Sequence, residues 1–215
     1  MFLTIKNVPK VSWSSDKPLN LKPKISTLFF LCFGLVLFGL GEGLLIVSAM
    51  GNSPWTVLAE GIHLDAGFSI GLITILISIV VLLFWFPLDQ KPGIGTILNA
   101  LIIGLMIDLC IKFIPTPENH IIQLLLAITA VLTVGLGGGI YLVANLGPGP
   151  RDGLMIGLQK KTNLPIAAVR AALEITVMSI GWYLGGTLGV GTLLFAFGIG
   201  PAVALGLYIV GKSFN

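Results

Sequence analysis

The sequence predicts an all-α fold, a polytopic transmembrane helical bundle of six long spans and two short half-helices built on a two-fold internal repeat. Three observations lead there. Hydrophobic residues make up 55% of the 215 and charged residues 10%, with a mean hydropathy of +1.02, whereas a soluble chain carries about a quarter charged residues. The apolar residues fall in runs of about twenty, the helical length that crosses a hydrocarbon core of roughly 30 Å. Finally, segments of the two halves match each other in a single register. A soluble enzyme, a nucleic-acid-binding domain and a disulfide scaffold are thereby excluded.

Residues 1–25 read as a basic cytoplasmic tail. Lys6, Lys10, Lys17, Lys22 and Lys24 stand there against one acid, Asp16, and no apolar stretch is long enough for a signal-peptide core. A Lys-rich flank before the first span is the usual cytoplasmic anchor, and contact with anionic lipid is its second use. The long apolar segments follow at about 26–49, 69–88, 94–114, 121–145, 165–185 and 190–210. Cys32 and Cys110 fall inside them, where a thiol is small packing material.

Two shorter pieces, about 54–64 and 150–161, break the pattern. Each follows a glycine- and proline-containing break, Gly51-Asn52-Ser53-Pro54 and Gly147-Pro148-Gly149-Pro150. Proline suits a first helical turn, and Ser53 is a good N-cap before it. Eleven or twelve helical residues reach only about 16–18 Å, half a membrane. Such a piece either re-enters the bilayer or lies on its surface with Trp55 at the headgroups; in the re-entrant case its free N–H groups suit an anion.

The order long, short, long, long occurs twice, in membrane repeats at 26–115 and 121–211. At an offset of 96, residues 39–62 match 135–158 at nine of 24 positions, and 93–104 match 189–200 at seven of twelve. Most of the matches are glycine, leucine and proline, as in Gly51/Gly147 and Pro54/Pro150. One register serving two distant segments marks a tandem duplication. If the short pieces do not span, each half has three crossings and the second copy is inverted, a layout common among secondary transporters. With the N-terminus inside, ten of the twelve basic residues then fall on the cytoplasmic side. Spanning short pieces make the halves parallel and put Lys91 and Arg151 outside, so both charge and length favour inversion. The GxxxG spacings Gly39/Gly43 and Gly135/Gly139 allow close helix crossings.

The run from Gly149-Pro150-Arg151-Asp152-Gly153 to Leu158, Arg170 with Glu174, and Gly185-Gly186 with Gly189-Val190-Gly191-Thr192 resemble signatures of the YczE/YitT-type bacterial membrane proteins. Leu40-Gly41, Gly51-Asn52-Ser53-Pro54-Trp55 and Gly93-Ile94-Gly95-Thr96 resemble the earlier blocks of the same family. The likeness covers about 27–210. It implies a multi-pass protein of the bacterial cytoplasmic membrane and names neither substrate nor catalytic residue.

A charge at the bilayer centre costs at least about 2.5–3.5 kcal/mol, so the intramembrane charges carry the functional reading. Glu42, Asp108, Arg170 and Glu174 lie in long spans, and Glu60, Arg151 and Asp152 on the short pieces. Arg170 and Glu174, at i and i+4, share a helix face and can pair structurally. Glu42 has no partner in its own turn, so it is protonated or meets a cation from another helix. Asp108 with Lys112 reads as interfacial snorkelling. At the 96-residue offset Glu42 faces Gly138, Trp55 and Thr56 correspond to Arg151 and Asp152, and Arg170 and Glu174 to Thr74 and Ser78. A symmetric scaffold with an asymmetric polar set points to a site, with Glu42 approaching Arg151 or Arg170 between the halves.

Gly206 to Ser213 satisfies the Walker A pattern, but its interior is Leu-Tyr-Ile-Val at the end of a span and the phosphate-loop context is missing. His63 and His120 have no metal-ligand spacing, and no nucleophile–base arrangement supports an enzyme. The expectation is a small transporter or channel-like permease in the lipid bilayer. Its substrate-binding or coupling candidates are Glu42, Arg151, Asp152, Arg170 and Glu174, with no catalytic or metal site, no cofactor and no nucleic-acid partner; a homo-oligomer is compatible. The rival is a non-transporting scaffold or accessory subunit whose charges are structural ion pairs.

Overall fold

The computed structural model describes residues 8–214; Lys6 and the start of the basic tail lie outside the described residues. Eight α-helices follow one another: α1 (Ile25–Val47), α2 (Pro54–Ala66), α3 (Ile70–Trp85, continued by a 3-10 turn at Phe86–Leu88), α4 (Ile94–Phe113), α5 (His120–Ala144), α6 (Pro150–Thr162), α7 (Ile166–Tyr183) and α8 (Val190–Phe214). Six are long and apolar enough to cross a membrane, and α2 and α6 are the short pieces. Pro54 and Pro150 each sit at the first turn of a short helix. Asn119 and Ser69 cap α5 and α3 through their side-chain oxygens.

Glycine notches fix the helix directions. Along α1, Gly39 meets Ile103 and Met106 while Gly43 meets Ile107 and Cys110, so α1 and α4 run parallel. Gly34 lies against Gly137, Ile140 and Tyr141, whereas Gly41 lies against Ala130 and Val134, so α1 and α5 run antiparallel. α5 and α8 are parallel again, with Gly135 on Ala202 and Gly139 on Gly206. Small residues let these backbones approach closely where lipid supplies no hydrophobic drive for association. α3 starts beside the C-terminal part of α4, where Gly71 meets Asp108. The end of α1 and the start of α3 therefore share one face of the bundle. α2 dips in from that face and returns to it without crossing.

The two halves are interlocked through their short helices. α2 packs on α7, with Gly61 against Gly181 and Leu184, and α6 packs on α3, with Gly153 against the Trp85 ring and Gly157 against Leu88. Backbone bonds tie the loops reciprocally: Gly191 N–H donates to the Met50 carbonyl (2.6 Å) and Gly95 N–H to the Leu146 carbonyl (2.8 Å). Gly51 (φ +100°) and Gly147 (φ +105°) hold the left-handed turns beside these bonds, a region that side chains with a Cβ rarely adopt.

The described part of the basic tail, residues 8–24, folds onto the bundle. Trp13 is 4% exposed, stacked on Phe30 and edge-on to Phe214. Ser15 N–H donates to the Ala144 carbonyl, and the Asn145 side chain returns a bond to the Ser15 carbonyl. A lysine count sees only the charges of this segment and misses the indole that anchors it.

Asp108 differs from the snorkelling expectation. Its carboxylate accepts from Ser69 Oγ (2.6 Å) and from Gly71 N–H (2.8 Å), closing the N-terminus of α3, where a negative charge complements the helix dipole. Asp108→Ala is expected to weaken the α3–α4 junction by about 1–2 kcal/mol, read as a lower thermal midpoint in detergent than for Lys112→Ala.

Candidate functional site

Glu42 sits about one turn from the end of α1 and is 1% exposed. Its Oε2 accepts from Ser53 Oγ and from Thr56 Oγ1, each at 2.8 Å. Both donors come from the start of α2, which the Gly51 turn brings down beside α1. Ser53 therefore does not cap α2 with its side chain as its sequence position predicts. A carboxylate is the stronger acceptor, and the hydroxyl is spent on it. Trp55, in the same turn, is 6% exposed and its indole N–H has no acceptor among the described residues. It is buried within the bundle, so the reading that places it at the headgroups does not hold.

From the other half, α6 brings Arg151, which lies over the face of Trp55 with its guanidinium carbon 5.2 Å from the ring centroid. Arg151 is half-buried. The charges of Glu42, Asp152 and Glu174 act on it, yet none of its donors is engaged in a hydrogen bond with the described residues. Asp152 accepts from the buried Tyr141 hydroxyl of α5 at 2.5 Å. On α7, Arg170 and Glu174 form the i, i+4 ion pair at 2.8 Å, with Arg170 the more exposed of the two.

All five sequence-predicted residues line a single cavity of about 180 Å³. Its walls also include Phe38, Trp55, Tyr141, Phe195 and Ile199. Glu42 and Arg151, expected to meet between the halves, lie within electrostatic reach of each other without a direct ion pair. Counted as ionised, the cavity holds two guanidiniums and three carboxylates, a net charge of −1.

A second, smaller cavity of about 60 Å³ lies beside it, lined by Thr74, Ser78, Asn99, Ile103 and Gly149, with Phe38, Tyr141, Arg151 and Asp152 common to both. At the 96-residue offset Thr74, Ser78, Asn99 and Ile103 correspond to Arg170, Glu174, Phe195 and Ile199 of the larger cavity. Arg151 and Asp152 stand where the two meet. Sequence reasoning passed over Ser53, Thr56, Trp55 and Tyr141. The signal for the first three was the 96-residue alignment of Ser53 with Gly149, Trp55 with Arg151 and Thr56 with Asp152; nothing in the sequence marked Tyr141.

Glu60, the remaining short-helix charge, takes a structural part. It accepts from Asn52 Nδ2 (2.8 Å), Thr187 N–H (2.6 Å) and Thr187 Oγ1 (3.0 Å), clamping α2 to the loop before α8. Among the described residues no group of histidine, cysteine and carboxylate side chains could hold a metal ion.

The model of a family described as a "Family of unknown function (DUF6198)" matches residues 25–207. An "Uncharacterized protein" of Haemophilus influenzae is 38% identical over 208 residues, covering 97% of this chain and 94% of its own. The "Uncharacterized membrane protein YczE" of Bacillus subtilis is 32% identical over 165 residues, covering 76% of this chain and 77% of its own. The "Uncharacterized protein YyaS" of the same organism is 27% identical over 165 residues, or 75% and 82% of the two chains. No solved structure matches. With a family model spanning six apolar helices and a YczE relative above 30% identity, this chain belongs to the DUF6198 family and is a membrane protein of YczE type.

Proposed function

We propose that the protein is a small inverted-repeat permease of the bacterial cytoplasmic membrane, moving a polar solute through a site between its two halves with Glu42 as the proton-coupled group. One observation carries the reading: a buried carboxylate from the first half and four charged groups from the second converge on one cavity inside the bundle. A charge set so costly to insert has a use when it binds, and the net −1 gives a proton or a cationic group its place. The antiparallel α1 and α5, the matched turns at Gly51 and Gly147 and the two related cavities support descent of the halves from one duplicated unit. In that arrangement the larger cavity serves one face and the smaller its opposite, and exchange of their sizes would alternate access.

The reading places the N-terminus and the Lys160–Lys161 end of α6 in the cytoplasm. Single cysteines at positions 52, 119 and 149, after removal of Cys32 and Cys110, test this with a membrane-impermeant thiol reagent on intact cells. Labelling at 52 and 119 but not at 149 is the expected result. Labelling at 149 but not at 119 overturns the inverted arrangement.

The Arg170–Glu174 pair, satisfied within one helix, favours the scaffold reading instead. A double variant, Arg170→Met with Glu174→Leu, tells whether the pair is structural or part of the path. Unchanged solute-driven proton flux in proteoliposomes marks the pair as structural, and lost flux at full expression marks it as part of the path.

A further inference from the structure

The crossing of α3 with α4 and the crossing of α7 with α8 occupy equivalent places in the two halves, and only the first is closed. Three devices close it. Asp108 ties Ser69 and Gly71 across the junction. Gly71 and Gly104 bring their backbones together, and the Ile75 side chain packs into the Gly104 notch. At the 96-residue offset these positions are Ala204, Pro165, Ala167, Gly200 and Ala171. The carboxylate latch is gone, a Cβ replaces the first glycine, and isoleucine has become alanine.

The consequence is visible in the packing. α7 packs on α2 and α6 and leaves α8 without substantial contact. A Cβ built at Gly200 would meet nothing within 4 Å. Ala167 and Ala171 are exposed, on the face of α7 that also carries Arg170 and Glu174. The charged cavity is lined by both margins of this seam, with Arg170 and Glu174 on α7 and Phe195, Ile199 and Gly200 on α8. In the bilayer the seam therefore faces acyl chains on its outside and ionised groups on its inside.

The unspent groups inside define what fits. Among the described residues Arg151 makes no hydrogen bond, and the Trp55 indole N–H, on a side chain 6% exposed, has no acceptor; these are donors for an anionic oxygen. Glu42 Oε1 and Asp152 Oδ1 accept no hydrogen bond from the described residues, and beside Glu174 they suit an ammonium group. We infer that the α7–α8 seam is a lateral portal for an amphiphile with a zwitterionic head, the anionic oxygen on Arg151 and Trp55, the amine among Glu42, Asp152 and Glu174, and the apolar chain along Phe195 and Ile199. This deepens the permease reading by naming a membrane-dissolved substrate class, and it rests on the same cavity.

Photo-labelling tests the portal separately from transport. The probe is lysophosphatidylethanolamine carrying a diazirine in its acyl chain, incorporated with the full chain into lipid nanodiscs; the labelled residues are mapped by mass spectrometry. Label is expected on α7 and α8 around Ala171, Phe195 and Gly200, displaced by unlabelled lysophosphatidylethanolamine and far less by lysophosphatidic acid or a simple alkylamine. Ala171→Phe fills the seam at an exposed helical position and is expected to abolish this label, while Ala171→Ser retains it. Label spread evenly over lipid-facing residues such as Leu83 and Leu105, or seam label indifferent to Ala171→Phe, overturns the portal. Efficient disulfide formation between copies at Ala171→Cys also overturns it, because a second chain then covers the seam. Seam label without Glu42-dependent flux leaves the portal standing and removes the permease reading; flux of soluble solutes without seam label does the reverse.

Discussion

Glu42→Gln is expected to reduce solute-driven proton flux in proteoliposomes by at least about a hundredfold, equivalent to about 2.7 kcal/mol at the barrier, at unchanged expression and monodispersity. Glutamine keeps the shape of the side chain and an oxygen for the Ser53 and Thr56 hydroxyls, so the local fold has little reason to change. It removes the negative charge that the first half presents to Arg151. On the permease reading it also removes the group proposed to exchange a proton. Glu42→Asp, which keeps the charge on a shorter stem, is expected to retain partial flux. Wild-type flux in Glu42→Gln would make Glu42 a structural anchor of α2 and remove it as the proton-coupled group.

The second large effect is structural. Gly51→Ala is expected to destabilise the protein by about 3–5 kcal/mol, combining left-handed backbone strain with overpacking. Gly51 has φ +100°, and a Cβ there would collide with the Gly189 backbone N–H and lie 2.8 Å from Thr192 Oγ1. Neither neighbour is a flexible side-chain end that can move aside. The turn also sets the start of α2, so Ser53 and Thr56 would leave Glu42. A large fall in the heat-step midpoint, measured by size-exclusion fluorescence, is the expected reading. Thermal stability equal to wild type would mean that the loops do not hold the short helices in place.

The six long helices were legible from hydropathy runs because a bilayer demands about twenty apolar residues per crossing. The short pieces stood out by length and by the prolines at their starts, Pro54 and Pro150. The five charged candidates were legible for the same reason: lipid makes charge rare enough to notice. Neutral partners were not. Ser53, Thr56 and Tyr141 are ordinary in a membrane helix, and only their positions against Glu42 and Asp152 give them a part. Asp108 could not be separated from a snorkelling acid without knowing that α3 begins beside it. Trp13 was hidden inside a segment dominated by lysine. The open seam was equally invisible, since Ala171 acquires meaning only once Ile75 is seen filling the matching place.

The reciprocal loop bonds have a consequence for how the chain is made. Met50 waits for Gly191, and the Trp13 segment waits for Ala144 and Phe214. At an elongation rate of about 5–20 residues per second, a ribosome needs roughly 7–30 s to add the stretch that separates Met50 from Gly191. During that interval the Met50 carbonyl lacks its Gly191 partner, and the α2 face that receives α7 stays uncovered until α7 is made. A nascent chain of this design holds its first half without these partners until the second is made, and a stall between the halves leaves them unpaired.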